Sequence, residues 1–198
     1  MIKRPVDVAF TPAVVAAQER KRSRSHYVGM EMGRAIDRNL AAFIAEVRSF
    51  YIATASADGQ PYIQHRGGPA GFLKVVGEHE LAFADFKGNR QFISAGNLSE
   101  NPRTFIFLMD YARRQRVKIW GRARVIEGDP WLERRLMPEN YHAEAEQVIC
   151  FEVDAWDINC PQHIPQMFPV EDVEKMLAER DKKIQMLEIQ IGLLLSKE

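Results

Sequence analysis

The sequence predicts a mainly antiparallel β fold with peripheral helices, of the α+β class, for this chain of 198 residues. In its middle part, short segments rich in β-branched and aromatic residues are separated by tight turns such as Asp58-Gly59. On both sides of this part, apolar residues recur at helical spacing. Because the strands follow one another through short connections rather than regular helical crossovers, we expect a six-stranded antiparallel barrel or sandwich.

Two helices are expected before the strands. Thr11 and Pro12 form a typical N-cap and first-turn pair for a short helix that continues through AVVAAQERKR. A second helix is expected from Arg34 to Arg48, because its apolar residues fall on one side of a helix. These residues are Ile36, Leu40, Phe43, Ile44 and Val47.

The strand-forming segments begin at residue 50, and two further helices lie between them. The segments are FYIATAS (50–56), PYIQHR (61–66), GFLKVV (71–76), ELAFAD (80–85), TFIFLMD (104–110), RVKIWGRARVIE (116–127) and QVICFEVDAWDIN (147–159). A helix is expected over NRQFISAGNLSE (89–100), where Asn101-Pro102 ends it. Another helix begins at Asp129-Pro130 and continues through Leu136.

The C-terminal segment from Val170 to Glu198 has a heptad pattern. Its repeating positions are spaced alternately by four and three residues, and all but one of them are apolar. These positions are Val173, Leu177, Arg180, Ile184, Leu187, Ile191 and Leu194. A single helix cannot bury such a stripe alone, so it either packs on the barrel or pairs with another chain. We therefore expect two parts, a barrel domain with its N-terminal arm (1–169) and a C-terminal amphipathic helix (170–198).

The composition argues against several classes of protein. Lys plus Arg and Asp plus Glu each total 27, so the formal net charge is zero, which argues against a nucleic-acid partner. An apolar fraction of 46% is sufficient for a core. No stretch has the length of a membrane helix, and the N-terminus lacks the apolar region of a secretory signal. With only two cysteines, we expect a cytoplasmic protein that does not depend on disulfides.

The common catalytic signatures are missing from the sequence. It contains no G-x-G-x-x-G, no Walker loop, no G-x-S-x-G and no H-E-x-x-H motif. Cys160-Pro-Gln-His163 offers two metal ligands where a zinc site needs three or four, so we expect no metal site. No residue is identified as a general acid or base.

Three segments are suited to a phosphate group. In the first, Gly67, Gly68 and Gly71 permit close approach of a ligand to the backbone, and Arg66 and Lys74 flank them, although a Gly-rich bulge with two exposed cations has the same pattern. In the second, Lys87, Asn89 and Arg90 lead into a helix N-terminus, which favours anions. The third contains the basic residues Arg113, Arg114, Arg116 and Lys118.

The order of these segments resembles the FMN-binding split-barrel family related to pyridoxamine 5'-phosphate oxidase. The motifs are R…FLKV, GNRQ opening a helix, ENPR and R-x-K-I-W-G-R-A, with NCPQHIP near the C-terminal end. The resemblance implies a split barrel that binds FMN at the interface of a homodimer. It also implies that the following residues contact the cofactor: Arg66, Gly67, Gly68, Phe72, Leu73, Lys74, Ala84, Asp85, Asn89, Arg90, Gln91 and Arg116.

The sequence departs from the oxidase in ways that affect the expected activity. Three extra residues separate Arg66 from Lys74, and Gln91 stands where the family has a lysine, a loss that Arg116 would offset. The C-terminal arginine motif that holds the oxidase substrate is missing, so vitamin B6 oxidation is not expected. Trp156 and His163 are candidates to cover the flavin from the other subunit.

The expected function is therefore that of an FMN-dependent oxidoreductase acting on a small molecule or electron donor. A split barrel that binds deazaflavin or haem is a first alternative, with His65 or His163 as the haem ligand. A second alternative is a non-enzymatic flavin sensor that signals through the heptad helix.

Overall fold

Seven strands form one sheet in the computed structural model, which describes residues 4–159 and 161–196. The strands are β1 (Ser49–Ala55), β2 (Pro61–Gly67), β3 (Lys74–Gly77), β4 (Glu80–Phe86), β5 (Arg103–Asp110), β6 (Gln115–Ile126) and β7 (Ala145–Asn159). Their order in the sheet is β2-β1-β5-β6-β7-β4-β3, and the pairs with a described register are antiparallel. The predicted fold class is confirmed, but each strand-forming segment gives its own strand, so the sheet has seven strands rather than six.

The sheet curls around one apolar core. Alternate residues of β1, β4, β5, β6 and β7 point inward, as a period of two requires. Phe50 on β1 contacts Phe83 on β4 edge to face, with ring centroids 5.1 Å apart. The sheet edges β2 and β3 are joined by the loop 68–73, whose Phe72 stacks on Phe50 at 5.4 Å. β3 therefore begins at Lys74 rather than at Gly71, because the preceding residues fill the core and Gly71 has a φ of +80°.

The structure has six α-helices among the described residues, and two of them begin at their predicted caps, Thr11 and Asp129. The six helices are α1 (Val6–Ala9), α2 (Pro12–Arg20), α3 (Arg38–Glu46), α4 (Ile93–Glu100), α5 (Pro130–Leu136) and α6 (Val170–Leu195), with a 3₁₀ turn at Arg24–His26. Thr11 caps α2 by accepting a hydrogen bond from the Val14 amide at 3.4 Å. α3 is shorter than predicted at both ends. It begins after Asp37, which accepts a hydrogen bond from the Leu40 amide at 2.8 Å, and it ends before Val47, whose ψ of 140° is extended.

α4 begins at Ile93, four residues later than the sequence predicts. Arg90 and Phe92 have φ values of 56° and 53°, which are incompatible with a right-handed helix. Asn89 does not cap the helix. Its side-chain oxygen instead accepts a hydrogen bond from the Gln91 amide at 3.2 Å, which closes a local turn. Residues 87–92 therefore form a loop that ends at α4.

The described chain divides into two compact units. One contains residues 4–109 and 116–159, and the other contains residues 110–115 and 161–196. In the second unit, the Gln166 side chain donates a hydrogen bond to the Ala112 carbonyl at 2.8 Å. Its long helix α6 remains exposed along its whole length. Among the described residues, no helix has the length and apolar character needed to cross a membrane.

Candidate functional site

The apolar interior of the barrel ends in a layer of polar side chains. Asp85 follows Leu81 and Phe83 on the inner face of β4, and Gln147 precedes Ile149 on the inner face of β7. Asp85 and Gln147 are register partners, so their side chains meet at this end of the barrel. Buried polar groups require hydrogen-bond partners, which here come from the same layer.

An ion pair joins this layer between β2 and β4, which are not neighbours in the sheet. Nη1 of Arg66 on β2 lies 2.6 Å from Oδ1 of Asp85 on β4, and Nη2 lies 3.3 Å from Oδ2. The Gln147 amide donates to Oδ2 at 2.8 Å. The Arg66 and Asp85 side chains are only 16% and 7% exposed. This largely buried ion pair therefore links β2 to β4 and places two charged groups at this end of the barrel.

The pKa of Asp85 reflects competing effects. Burial raises the pKa above its ordinary value and outweighs the Arg66 guanidinium and the Gln147 hydrogen bond, both of which lower it. The nearby carboxylate of Glu146 raises the pKa further. Nε of Arg66 is buried and has no hydrogen-bond partner among the described residues. The guanidinium thus keeps a donor that Asp85 does not use.

The second wall of the site is the loop before α4. Nη2 of Arg90 lies 3.3 Å from Oε1 of Glu146, and its guanidinium lies 5.7 Å from the centre of the Phe92 ring. No side chain caps the N-terminus of α4, so its first amide groups remain open to an anion. Ser94 in the first turn donates to Oε1 of Gln64 at 2.9 Å, which fixes α4 against β2.

These walls enclose a cleft of about 170 Å³. Four of the predicted cofactor contacts line it, namely Arg66, Asp85, Asn89 and Arg90. The other lining residues are not among the predicted contacts; they are Gln64, Phe86, Gly88, Phe92, Ser94, Ala95, Glu146 and Gln147. Strand alternation could have predicted Gln64, which lies two residues before Arg66 on β2. Gln147 could have been predicted as a polar residue within the apolar stripe of β7. No local sequence pattern distinguishes Glu146.

The remaining predicted contacts lie elsewhere in the barrel unit. Phe72 and Leu73 are buried in the core, and the backbone of Gly67 and Gly68 leads into that loop. A Cβ on Gly68 would lie 2.7 Å from the Phe72 ring, so this glycine is required for close packing rather than for a turn. Gln91 is exposed on the loop before α4.

Lys74, Ala84 and Arg116 lie away from the cleft in a single chain. Lys74 is the register partner of Ala82, which packs with Ala84 outside the barrel. Arg116 pairs with the end of β7, whereas Ile126 pairs with Val148 near the cleft. Ten residues of β6 correspond to roughly 33 Å along the strand. Neither cation reaches the cleft within one chain.

The other side chains singled out in the sequence have separate environments. The Trp156 indole donates to the Ala35 carbonyl at 2.9 Å and packs against the barrel core. His65 lies on the outer face of β2, where its ring contacts Tyr51 at 5.5 Å, and His163 belongs to the second unit. Cys160 lies outside the described residues. Within those that are described, no cluster of three or more His, Cys, Asp or Glu could hold a metal.

The cleft combines two cations, two carboxylates and an uncapped helix. Arg66 is paired with Asp85 and Arg90 with Glu146, so the formal charge of these four groups is zero. An anion that enters the cleft must bind the open amides of α4. It must also compete with Asp85 and Glu146 for the two guanidinium groups. Protonation of Asp85 would leave the cleft with a net positive charge and would favour such an anion.

The solved structures that resemble this chain share its fold at low sequence identity. HupZ of Group A Streptococcus is 14% identical with a TM-score of 0.51, and the match covers 67% of this chain and 99% of HupZ. A candidate pyridoxamine 5'-phosphate oxidase of Lactobacillus delbrueckii is 15% identical with a TM-score of 0.50, covering 65% of this chain and 99% of that protein. Identities this low establish the fold alone. No curated protein matches the sequence.

The family comparison is more direct. The model for the family described as pyridoxamine 5'-phosphate oxidase matches residues 36–160, which is more than half of the chain. The matched region runs from the start of α3 through the end of β7 and contains every residue of the cleft. The chain therefore belongs to the pyridoxamine 5'-phosphate oxidase family of split-barrel proteins.

Proposed function

We propose that this protein is a homodimeric flavoprotein that binds FMN and acts as an oxidoreductase on a small organic molecule or a reduced nicotinamide. The observation that carries the proposal is the cleft between β2, β4 and α4, where two arginines meet an uncapped helix N-terminus. Helix N-termini and arginine side chains are common ligands of phosphate. No residue is assigned a catalytic role.

The donor set of the cleft fits the phosphate and ribityl part of FMN. Nε of Arg66 is buried and lacks a hydrogen-bond partner among the described residues, and the Asn89 and Arg90 side chains border the same cleft. Arg66, Asn89 and Arg90 would hold the phosphate, with the first amides of α4. Bound FMN would supply hydride or electron transfer, and nearby charges would tune its reactivity.

The size of the cleft supports a shared site. Pockets that hold ligands of this size usually measure about 300–1,000 Å³, whereas this cleft measures about 170 Å³. The cleft of one chain therefore accommodates only part of FMN. We expect a second copy to cover the flavin ring and to bring its own side chains, with Arg116 as the first candidate.

The outer face of the barrel offers a surface for that second copy. Tyr51 and Ile63 are 39% and 64% exposed on adjacent strands, and they share this face with aromatic side chains of β5 and β6. Phe105 contacts Trp120 with ring centroids 5.0 Å apart and lies 6.3 Å from Phe107. A partly exposed apolar and aromatic patch of this kind is typical of a protein interface.

The first test is the absorption spectrum of the purified protein, followed by titration with FMN and riboflavin. We expect a flavin spectrum, or uptake of added FMN, and at least tenfold weaker binding of riboflavin because it lacks the phosphate. A colourless protein that does not take up FMN would exclude the proposal. A Soret band would instead indicate haem, and preferential binding of a deazaflavin would indicate that cofactor.

Turnover of the FMN-loaded protein separates an enzyme from a sensor. An oxidoreductase should reduce its flavin with NADH or NADPH and pass the electrons to a simple acceptor. Persistent inactivity of the loaded protein would favour a flavin sensor. In either case, light scattering should give the mass of two chains.

A further inference from the structure

We propose that α6 forms a parallel two-stranded coiled coil with α6 of a second copy of this chain. The helix runs from Val170 to Leu195, 26 residues or about 39 Å at 1.5 Å per residue. Its apolar heptad side chains are 40% to 69% exposed. A seam of this length on an exposed helix requires a partner, and three observations identify that partner as the same helix.

The first observation is the choice of residues at the heptad positions. The a positions hold Val170, Leu177, Ile184 and Ile191, and the d positions hold Val173, Arg180, Leu187 and Leu194. Three of the four a residues are β-branched, and the last two d residues are leucine. β-branched residues at a with leucine at d favour two parallel strands over larger assemblies.

The second observation is the charge beside the seam. The e positions hold Glu174, Asp181, Glu188 and Leu195, and the central g position holds Lys183. In a parallel dimer, a g residue faces the e residue of the next heptad, so Lys183 meets Glu188 of the second copy twice by symmetry. An antiparallel pair would bring the acidic e positions together instead, which is unfavourable. The charges therefore select the parallel arrangement.

The third observation is the single polar residue of the seam. Arg180 occupies a d position, where its packing site in a parallel dimer includes the e residue of the second copy, Asp181. The charges are complementary, and a polar residue at one seam position fixes the register at some cost in stability. Arg180 thus gives the pairing a defined register.

The helix also carries exposed apolar residues outside the seam, among them Met186, Ile189 and Leu193. Ile189 is 64% exposed but lies at an f position, opposite the seam. It provides a matched control for Ile184, which is 52% exposed at an a position on the same helix. The same substitution at these two sites changes the seam in one case only.

The experiment uses the full chain with Leu194→Cys and measures disulfide crosslinking under mild oxidation. A parallel pair brings the two introduced thiols together across the seam, so we expect a crosslinked dimer that the unaltered chain does not form. In this background, Ile184→Glu should lower the crosslinked fraction at least tenfold, because a charge at an a position faces its own copy. Ile189→Glu should leave the fraction unchanged.

A charge reversal tests the orientation. Lys183→Glu should weaken self-association about two- to tenfold, because it replaces two attractive contacts by repulsive ones. Adding Glu188→Lys should restore it. Equal crosslinking in Ile184→Glu and Ile189→Glu, or no rescue by the second charge, would overturn the proposal.

The crosslinking and charge-reversal experiments test the coiled coil independently of the cofactor. Both series can be measured on protein with and without added FMN, and none of the substituted residues lines the cleft. If FMN fails to bind while the crosslink forms, the proposed function fails and the coiled coil stands. If FMN binds but Ile184→Glu and Ile189→Glu reduce the crosslink equally, the coiled coil fails and the proposed function stands.

Discussion

Replacing Arg66 by methionine tests the ion pair that spans the open side of the barrel. The change removes the guanidinium but keeps the length of an apolar stem. Asp85, whose side chain is only 7% exposed in the wild type, then loses the cation that lies 2.6 Å away. Its hydrogen bond from Gln147 at 2.8 Å is kept. The substitution therefore leaves a buried carboxylate with one neutral donor.

Breaking a buried pair by removing one partner typically costs about 3–5 kcal/mol. Because the Gln147 donor remains, we expect the free energy of unfolding of Arg66→Met to fall by about 3 kcal/mol at pH 7.5. Without Arg66, the pKa of Asp85 rises further above its value in the unfolded chain. The folded state then binds more protons than the unfolded state, so acid recovers stability by at most about 1.4 kcal/mol per pH unit.

Urea unfolding of both proteins at pH 7.5 and pH 5.5 measures this effect. The difference between wild type and Arg66→Met should be smaller at the lower pH. Arg90→Met serves as the control, because its pair with Glu146 is more open, with side chains 59% and 22% exposed. That loss should not exceed about 1 kcal/mol. An equal loss for Arg66→Met at both pH values, or no loss, would refute the reasoning.

Two further substitutions test the fold. Gly121→Ala should lower the free energy of unfolding in urea by about 3 kcal/mol or more, because its Cβ would overlap the Glu152 carbonyl and the Phe151 ring at the β6 bulge; unchanged stability would show that the strand can shift there. Asp37→Ala should cost about 1 kcal/mol through loss of the α3 cap on the Leu40 amide, and Asp37→Asn should restore most of it. If asparagine fails to restore stability, the cap is not the cause.

Local patterns were sufficient for much of the fold. The turn at Asp58-Gly59, the cap at Thr11 and the heptad of α6 are each encoded within a few residues, and the structure has all three. Local patterns could not predict the start of α4, because Arg90 and Phe92 adopt left-handed conformations that are usually predicted only for glycine. Helix propensity alone therefore predicts a start for α4 that is four residues too early.

The candidate site was predictable where it follows one segment of chain. Local motifs predict Arg66, Asn89 and Arg90, and strand alternation relates Gln64 to Arg66. The contact of Asp85 with Gln147 joins residues 62 positions apart, and only the register of β4 with β7 brings them together. The side of β3 that carries Lys74 also depends on register, because the loop before it buries Phe72 in the core.

The most direct test of FMN binding at the cleft is a fluorescence titration of FMN against wild type, Arg90→Ala and Arg124→Ala. Arg124 is the matched control, because it is also 59% exposed and also pairs with one glutamate, Glu80, away from the cleft. We predict at least tenfold weaker FMN binding for Arg90→Ala, no change for Arg124→Ala, and unchanged riboflavin binding in both. Equal affinities in all three proteins, or no binding to wild type, would contradict the account.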